Sequence, residues 1–186
     1  MGKLRYLLNV SLDGFIETVD HGLDWALVDE ELHAWFNEQE ARVEAMLYGR
    51  RLYEVMAAYW PTAEAEPDIT PVEAEFARIW NAKPKFVFSS TLESVDWNSR
   101  LVRGDVVEEL GKIREEFRGD LGIGGATLAS ELVRQNLVDE YGLVVHPVVL
   151  GAGTPFFPPM AHRLDLEPFD TRRFSSGAVY VGYRPR

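Results

Sequence analysis

Changes in the spacing of apolar residues mark out the elements of this chain. In residues 3–11, Leu4, Leu7, Leu8 and Val10 leave both faces apolar, which predicts a buried strand. Asp13-Gly14 closes it with turn chemistry. Residues 15–28 read as a loop or a short strand. From Asp29 the period changes: Leu32, Trp35, Phe36 and Val43 recur at helical spacing. Asp29 suits the N-cap, and Glu30 and Glu31 suit the positive end of the helix dipole.

AMLYG (45–49) predicts a strand closed by glycine, and RRLYEVMAAYW (50–60) returns to helical spacing until Pro61. TAEAEPDITP (62–71) predicts an exposed acidic loop, VEAEFARIWNA (72–82) a short helix, and KFVFSS (85–90) a strand. A brief strand at Leu101 and Val102 precedes an amphipathic helix at 105–117. DLGIGG (120–125) predicts a strand running into a double glycine, and ATLASELVRQN (126–136) a helix. EYGLVVHPVVLG (140–151) is the longest strand signal, and its Pro147 points to an edge or a bulge. Two strands around Ser175-Ser176-Gly177 make a terminal hairpin. Strands thus alternate with helices for most of the chain. That order predicts a single α/β domain over 1–186, three-layered αβα, with a mainly parallel central sheet, helices on both faces and antiparallel strands at one edge.

Composition narrows the chemistry. The chain has 186 residues, 46% of them hydrophobic, which is enough to bury a substantial core. The absence of cysteine excludes a disulfide scaffold, a thiolate metal site and a cysteine nucleophile. A formal charge of −11 argues against nucleic acid and anionic membrane as partners. No stretch approaches the roughly 18 apolar residues of a membrane span, and nothing at the N-terminus has signal-peptide form, so a cytoplasmic protein is expected. His33, His146 and His162 lie far apart without metal-ligand spacing, so no metal is expected; His146 reads as a hydrogen-bonded core residue and His21 as loop surface.

In parallel sheets, ligands bind beyond the carboxyl ends of the strands. Four such ends carry unusual residues: Ser11-Leu12-Asp13-Gly14, Gly49-Arg50-Arg51, Ser89-Ser90-Thr91 and Gly124-Gly125-Ala126-Thr127. The second and fourth open helices, whose unpaired N–H groups and positive dipole attract phosphate. Glycines allow close backbone approach, and guanidinium groups hold phosphate through paired hydrogen bonds. Together these ends describe a site for an extended, multiply phosphorylated ligand. Standard nucleotide fingerprints are absent: GIGGAT lacks the third glycine of G-x-G-x-x-G, and no phosphate-binding G-x-x-x-x-G-K-[ST] occurs.

The same segments resemble the dihydrofolate reductase-like superfamily, and within it the branch that includes the reductase domain of bacterial riboflavin biosynthesis, the RibD C-terminal domain. SLDGFI (11–16) is similar to S-x-D-G-x-I, LYGRRLYE (47–54) to a strand followed by G-R-x-T-[YW]-E, and FVFSS (86–90) to an apolar strand ending in serines. IGGATLASEL (123–132) resembles I-G-G-x-x-[LV], and LVDEYGLVVHPVVLGAGTPFF (137–157) resembles L-V-D-E-L-x-L-x-x-x-P-V-x-L-G-x-G-x-x-[LF]-F; these two are long and specific. The resemblance implies NADPH as hydride donor, with Gly49, Arg50 and Arg51 on a phosphate, Ser89 and Ser90 near the adenosine 2′-phosphate, and Gly124 and Gly125 at the pyrophosphate through a cis peptide. Ser11 would line the nicotinamide. Asp13 would face the substrate as acid or anchor, its alternative being a turn with Gly14, and Glu140 would help build the same pocket.

Two departures accompany the resemblance. Leu52 replaces the helix-start threonine, and Leu32 stands where dihydrofolate reductases place a carboxylate on their first helix. The function implied is an NADPH-dependent reductase of a small heterocyclic or carbonyl substrate, of the 5-amino-6-(5-phosphoribosylamino)uracil or pteridine type. The alternative is a non-catalytic nucleotide- or pteridine-binding module of the same fold. Trp25, Trp35, Tyr59 and Trp60 fit either an aromatic wall for a flat ligand or a core. A homodimer is expected, with GTPFFPP (153–159) and the terminal hairpin as interface candidates or as simple core packing.

Overall fold

A computed structural model describes residues 2–186. Strand β1 (Leu4–Ser11) and the short β2 (Phe15–Glu17) open the chain, followed by helix α1 (Glu30–Arg42) and β3 (Ala45–Gly49). Helices α2 (Arg50–Ala57) and α3 (Pro71–Ala82), strands β4 (Lys85–Phe88) and β5 (Ser99–Val102), α4 (Val106–Glu116), β6 (Leu121–Gly124) and α5 (Ala126–Arg134) come next. Strands β7 (Glu140–His146), β8 (Thr154–Pro155), β9 (Leu166–Arg173) and β10 (Val179–Pro185) complete it.

Eight strands form one sheet in the order β5-β4-β3-β6-β1-β7-β10-β9. The six from β5 to β7 run parallel, and β10 and β9 continue the sheet antiparallel. The mainly parallel sheet with an antiparallel terminal hairpin is thus the observed architecture. Two-residue periodicity divides the core between the faces. In β3, Ala45 and Leu47 join Leu110 and Ile113 of α4 and Leu128 and Leu132 of α5. Met46 and Tyr48 point the other way, to Tyr53 of α2 and Trp80 of α3. Leu32 and Trp35 of α1 cover Val144 and Tyr180 on β7 and β10.

Helix starts follow local chemistry. Asp29, Thr70 and Asp105 cap α1, α3 and α4 through side-chain oxygens, with a full capping box at Thr70 and Glu73. Two local expectations change. The loop at 62–71 contains a short 3-10 turn whose Ala63 is fully buried. Pro147 marks neither an edge nor a bulge: β7 lies between β1 and β10 and stops at His146, because proline cannot donate to the ladder. The GTPFFPP segment is partly core: Phe156 is 1% exposed and stacks on Tyr6 at 4.2 Å between centroids.

Candidate functional site

All six parallel strands end on the same side of the sheet. Ser89 (after β4), Gly49 (β3), Gly124 (β6) and Ser11 (β1) therefore stand in a row across four neighbouring strands, about 15 Å from end to end at normal strand spacing. Of the five α-helices, α2 and α5 have N-termini without a side-chain cap, and both follow strands directly through Gly49 and Gly125. Their first-turn N–H groups are left to another acceptor. The two ends lie side by side: a Cβ built on Gly125 would sit 3.9 Å from the Gly49 nitrogen.

Glycine is required at this junction for two reasons. Gly125 has φ +97°, which turns β6 into α5 in backbone geometry that side chains disfavour. At Gly124 a Cβ would meet Leu52 at 2.5 Å and the Tyr48 ring at 2.6 Å. Leu52, standing where the family motif has threonine, thus packs onto the glycine pair. No cis peptide occurs among the described residues, so the Gly124–Gly125 bond is trans, unlike the resemblance implied. Ala126 is buried, and Thr127 is exposed in the first turn of α5.

At the end of β1, Ser11 is 1% exposed. Its hydroxyl donates to Asp13 Oδ1 at 2.7 Å and accepts from the Phe15 amide at 2.9 Å. Ser11 therefore locks the turn with its side chain, and its carbonyl accepts from the Gly14 amide at 2.9 Å. Asp13 also accepts from the Leu150 amide at 3.1 Å and the Gly151 amide at 2.7 Å, tying the end of β1 to the loop after β7. The Ser11 hydrogen bond, aided by these amides, outweighs desolvation and holds the Asp13 carboxyl below the usual carboxylate range. It is ionised at neutral pH, which suits an anchor and not a proton donor. Its bonds cross to a distant loop, so the simple turn with Gly14 is not its role.

Arg50 is exposed and reaches Glu54 at 3.5 Å. Arg51 turns toward β2, where its guanidinium pairs with Glu17 and lies 3.1 Å from His21 Nε2. Glu17 was not visible as a site residue in the sequence, since one acid in a three-residue strand carries no motif. It is 7% exposed and also accepts from Thr154 Oγ1 at 2.5 Å and His21 Nδ1 at 3.0 Å. Burial pushes its carboxyl up, but the Thr154 and His21 hydrogen bonds and the Arg51 charge prevail and hold it below the ordinary range. His21, expected as loop surface, is drawn into this cluster.

Ser89 Oγ accepts from the Thr91 and Leu92 amides at 3.2 and 3.1 Å, so it caps the turn after β4, while Ser90 is exposed. Glu140 requires a correction. It pairs with Arg5 in the β1–β7 register, whereas Ser11 pairs with His146. Six strand residues, about 20 Å, separate it from the Ser11 end. There it binds Lys3 and, at 3.0 Å, Arg5 Nε, latching the amino end of the sheet. It cannot share a pocket with Asp13.

His146 is 1% exposed with Nε2 2.9 Å from Asn9 Oδ1, as a core histidine should be. Trp25 meets its ring edge-on at 5.7 Å, and Trp60 packs between His33 and Phe76. Trp35 belongs to the core against Tyr180 at 4.6 Å. Leu32 is fully buried, and Glu31 binds Arg172 at 3.2 Å and the Ser175 amide at 3.0 Å, in the turn between β9 and β10. Position 32 of α1 therefore offers a buried apolar side chain and no carboxylate.

Comparison with known proteins places this arrangement. The uncharacterized protein YyaP of Bacillus subtilis strain 168 is 35% identical over 177 residues, covering 95% of this chain and 91% of its own. The crystal structure of a diaminohydroxyphosphoribosylaminopyrimidine deaminase/5-amino-6-(5-phosphoribosylamino)uracil reductase from Thermotoga maritima superposes with a TM-score of 0.68 at 15% identity, over 100% of this chain and 57% of that one. Dihydrofolate reductase from Enterococcus faecalis, complexed with NADP(H), superposes with a TM-score of 0.64 at 16% identity, over 99% and 96% of the two chains. These two likenesses establish the fold, which is dihydrofolate reductase-like. The RibD C-terminal domain model matches residues 3–180, and the chain belongs to that family.

Proposed function

We propose that this chain is an NADPH-dependent reductase that transfers hydride to a small heterocyclic or carbonyl substrate. The observation that carries this reading is the pair of adjacent, uncapped helix N-termini behind Gly49 and Gly125, with Arg50 and Arg51 beside them. The residues present fit a dinucleotide: two sets of free amides for a pyrophosphate, a glycine pair without side-chain bulk, and hydroxyl residues two strands away. Gly49, Arg50 and Arg51 would hold phosphate, Gly124, Gly125, Ala126 and Thr127 the pyrophosphate, and Ser89 and Ser90 the region of the 2′-phosphate. The E. faecalis likeness, complexed with NADP(H), supports the choice of cofactor.

When bound, NADPH supplies the hydride, and the protein supplies position and exclusion of water. The turn at Ser11, braced by Asp13, would present its backbone to the nicotinamide. Ionised Asp13 would hold an N–H or O–H of the substrate. The proton that follows hydride transfer would come from a group other than Asp13, whose carboxyl is held ionised. Stopped-flow oxidation of NADPH across pteridines, ribosylaminopyrimidines and small carbonyls tests the reading. Turnover with one class is expected.

Leu32 and Leu52 favour a second reading, a binding module that has lost catalysis. It predicts saturable NADPH or pteridine binding with no oxidation across the same panel. We also propose a homodimer, which sizing chromatography would show as a particle of twice the 21.1 kDa chain.

A further inference from the structure

We propose that Glu17 and His21 are positioning residues that set the Arg51 guanidinium for a phosphate oxygen of the ligand. This rests on the reading of the strand ends as a phosphate site. The Thr154 hydroxyl, the His21 ring and the Arg51 guanidinium all converge on Glu17 Oε1. A guanidinium only donates, so His21 Nε2, 3.1 Å from Arg51 Nη1, is an acceptor. The His21 proton then sits on Nδ1 and is donated to Glu17. His21 thereby holds Arg51 from one side while completing the shell of the carboxylate that holds it from the other.

The backbone is arranged for this. His21 has φ +67°, a conformation uncommon for a non-glycine residue. A turn braces it: the His21 amide donates to the Thr18 carbonyl at 3.0 Å and the Gly22 amide to Thr18 Oγ1 at 2.8 Å. Thr154 comes from β8, paired to β2, so three separate segments, β2 with its following turn, β8 and α2, meet on Glu17. The guanidinium uses Nη1 and Nη2 for these contacts and keeps further N–H donors at a half-exposed position in the first turn of α2. A long side chain that would otherwise lose most of its rotamer freedom on meeting an anion is already ordered. A carboxylate that merely competed with phosphate for Arg51 would have the opposite effect on affinity, which makes the two roles separable.

The test is a double-mutant cycle. NADPH is titrated by tryptophan-fluorescence quenching against the wild-type chain, Glu17→Ala, Arg51→Met and the double variant, with ribose 5-phosphate as a second ligand and thermal melting as the check on folding. Glu17→Ala should weaken binding ~10-fold, and the double variant should bind no worse than Arg51→Met alone, since coupled residues are not additive. Coupling seen with NADPH assigns the phosphate to the cofactor; coupling seen only with ribose 5-phosphate assigns it to a phosphorylated substrate. Losses that add, or a Glu17→Ala chain that binds as tightly as wild type or more so, overturn the positioning role and leave the phosphate reading standing. A wild type that binds neither ligand, or an Arg51→Met chain that binds as well as wild type, overturns that reading and this inference together. If Glu17→Ala does not fold, Glu17→Gln, which keeps an acceptor oxygen and loses the charge, carries the same cycle.

Discussion

At the end of β6, a single φ angle decides how the backbone enters α5. Gly125 at φ +97° directs the first-turn amides of that helix outward beside those of α2. Gly125→Ala is expected to destabilise the fold by about 1–3 kcal/mol through backbone strain alone, because the new Cβ would meet Leu52 at 3.6 Å and the Gly49 nitrogen at 3.9 Å, ordinary contacts that add no clash. Thermal melting reads the first effect, and NADPH titration reads the accompanying loss of phosphate approach. An alanine variant as stable as wild type would show that this angle is not required. The glycine pair was legible in the sequence because its chemistry is local. Glu17 was not, because two of its three partners lie 34 and 137 residues away. Glu140 was misplaced for a related reason: its motif is specific, but a motif does not say which end of a strand its acid occupies.

Helix α1 shows a different constraint at the scale of one element. Its C-terminal half lies over a cavity of about 70 Å³ lined by Arg5, Leu7, Gln39, Glu40, Met46 and Gly122, among others. Glu40 Oε1 is enclosed there without a hydrogen-bond partner. Burial pushes the Glu40 carboxyl up to about 7, against the pull of Lys83 and Lys85. The folded chain therefore keeps this proton over a range where the unfolded chain has lost it. The resulting stability is fully present below the unfolded carboxyl value and is lost as pH rises through about 7. Wild type should lose up to about 3 kcal/mol from this source between pH 5 and pH 8, and Glu40→Gln should be flatter over the same interval. Urea unfolding at the two pH values measures the difference; parallel slopes would show that Glu40 does not titrate in this window. The apolar period and the Asp29 cap of α1 were readable in advance. The buried position of Glu40 was not, since helical spacing puts residue 40 beside Phe36 and Val43 without saying how deep that edge lies.

Over the whole molecule, a formal charge of −11 coexists with a row of strand ends that brings Arg50 and Arg51 to two helix N-termini. The net charge disfavours a broad polyanion surface, yet it permits one small polyanion in a local site. The fold was legible because alternation of strands and helices is written along the chain, while strand order emerged only from packing. Among the described residues no helix is long and apolar enough to cross a membrane. The central claim is that these strand ends hold a phosphorylated nicotinamide dinucleotide. Isothermal titration calorimetry of NADPH into the purified chain addresses it most directly. Saturable one-to-one binding, weakened by Arg51→Met, is expected; no binding at millimolar NADPH would contradict it.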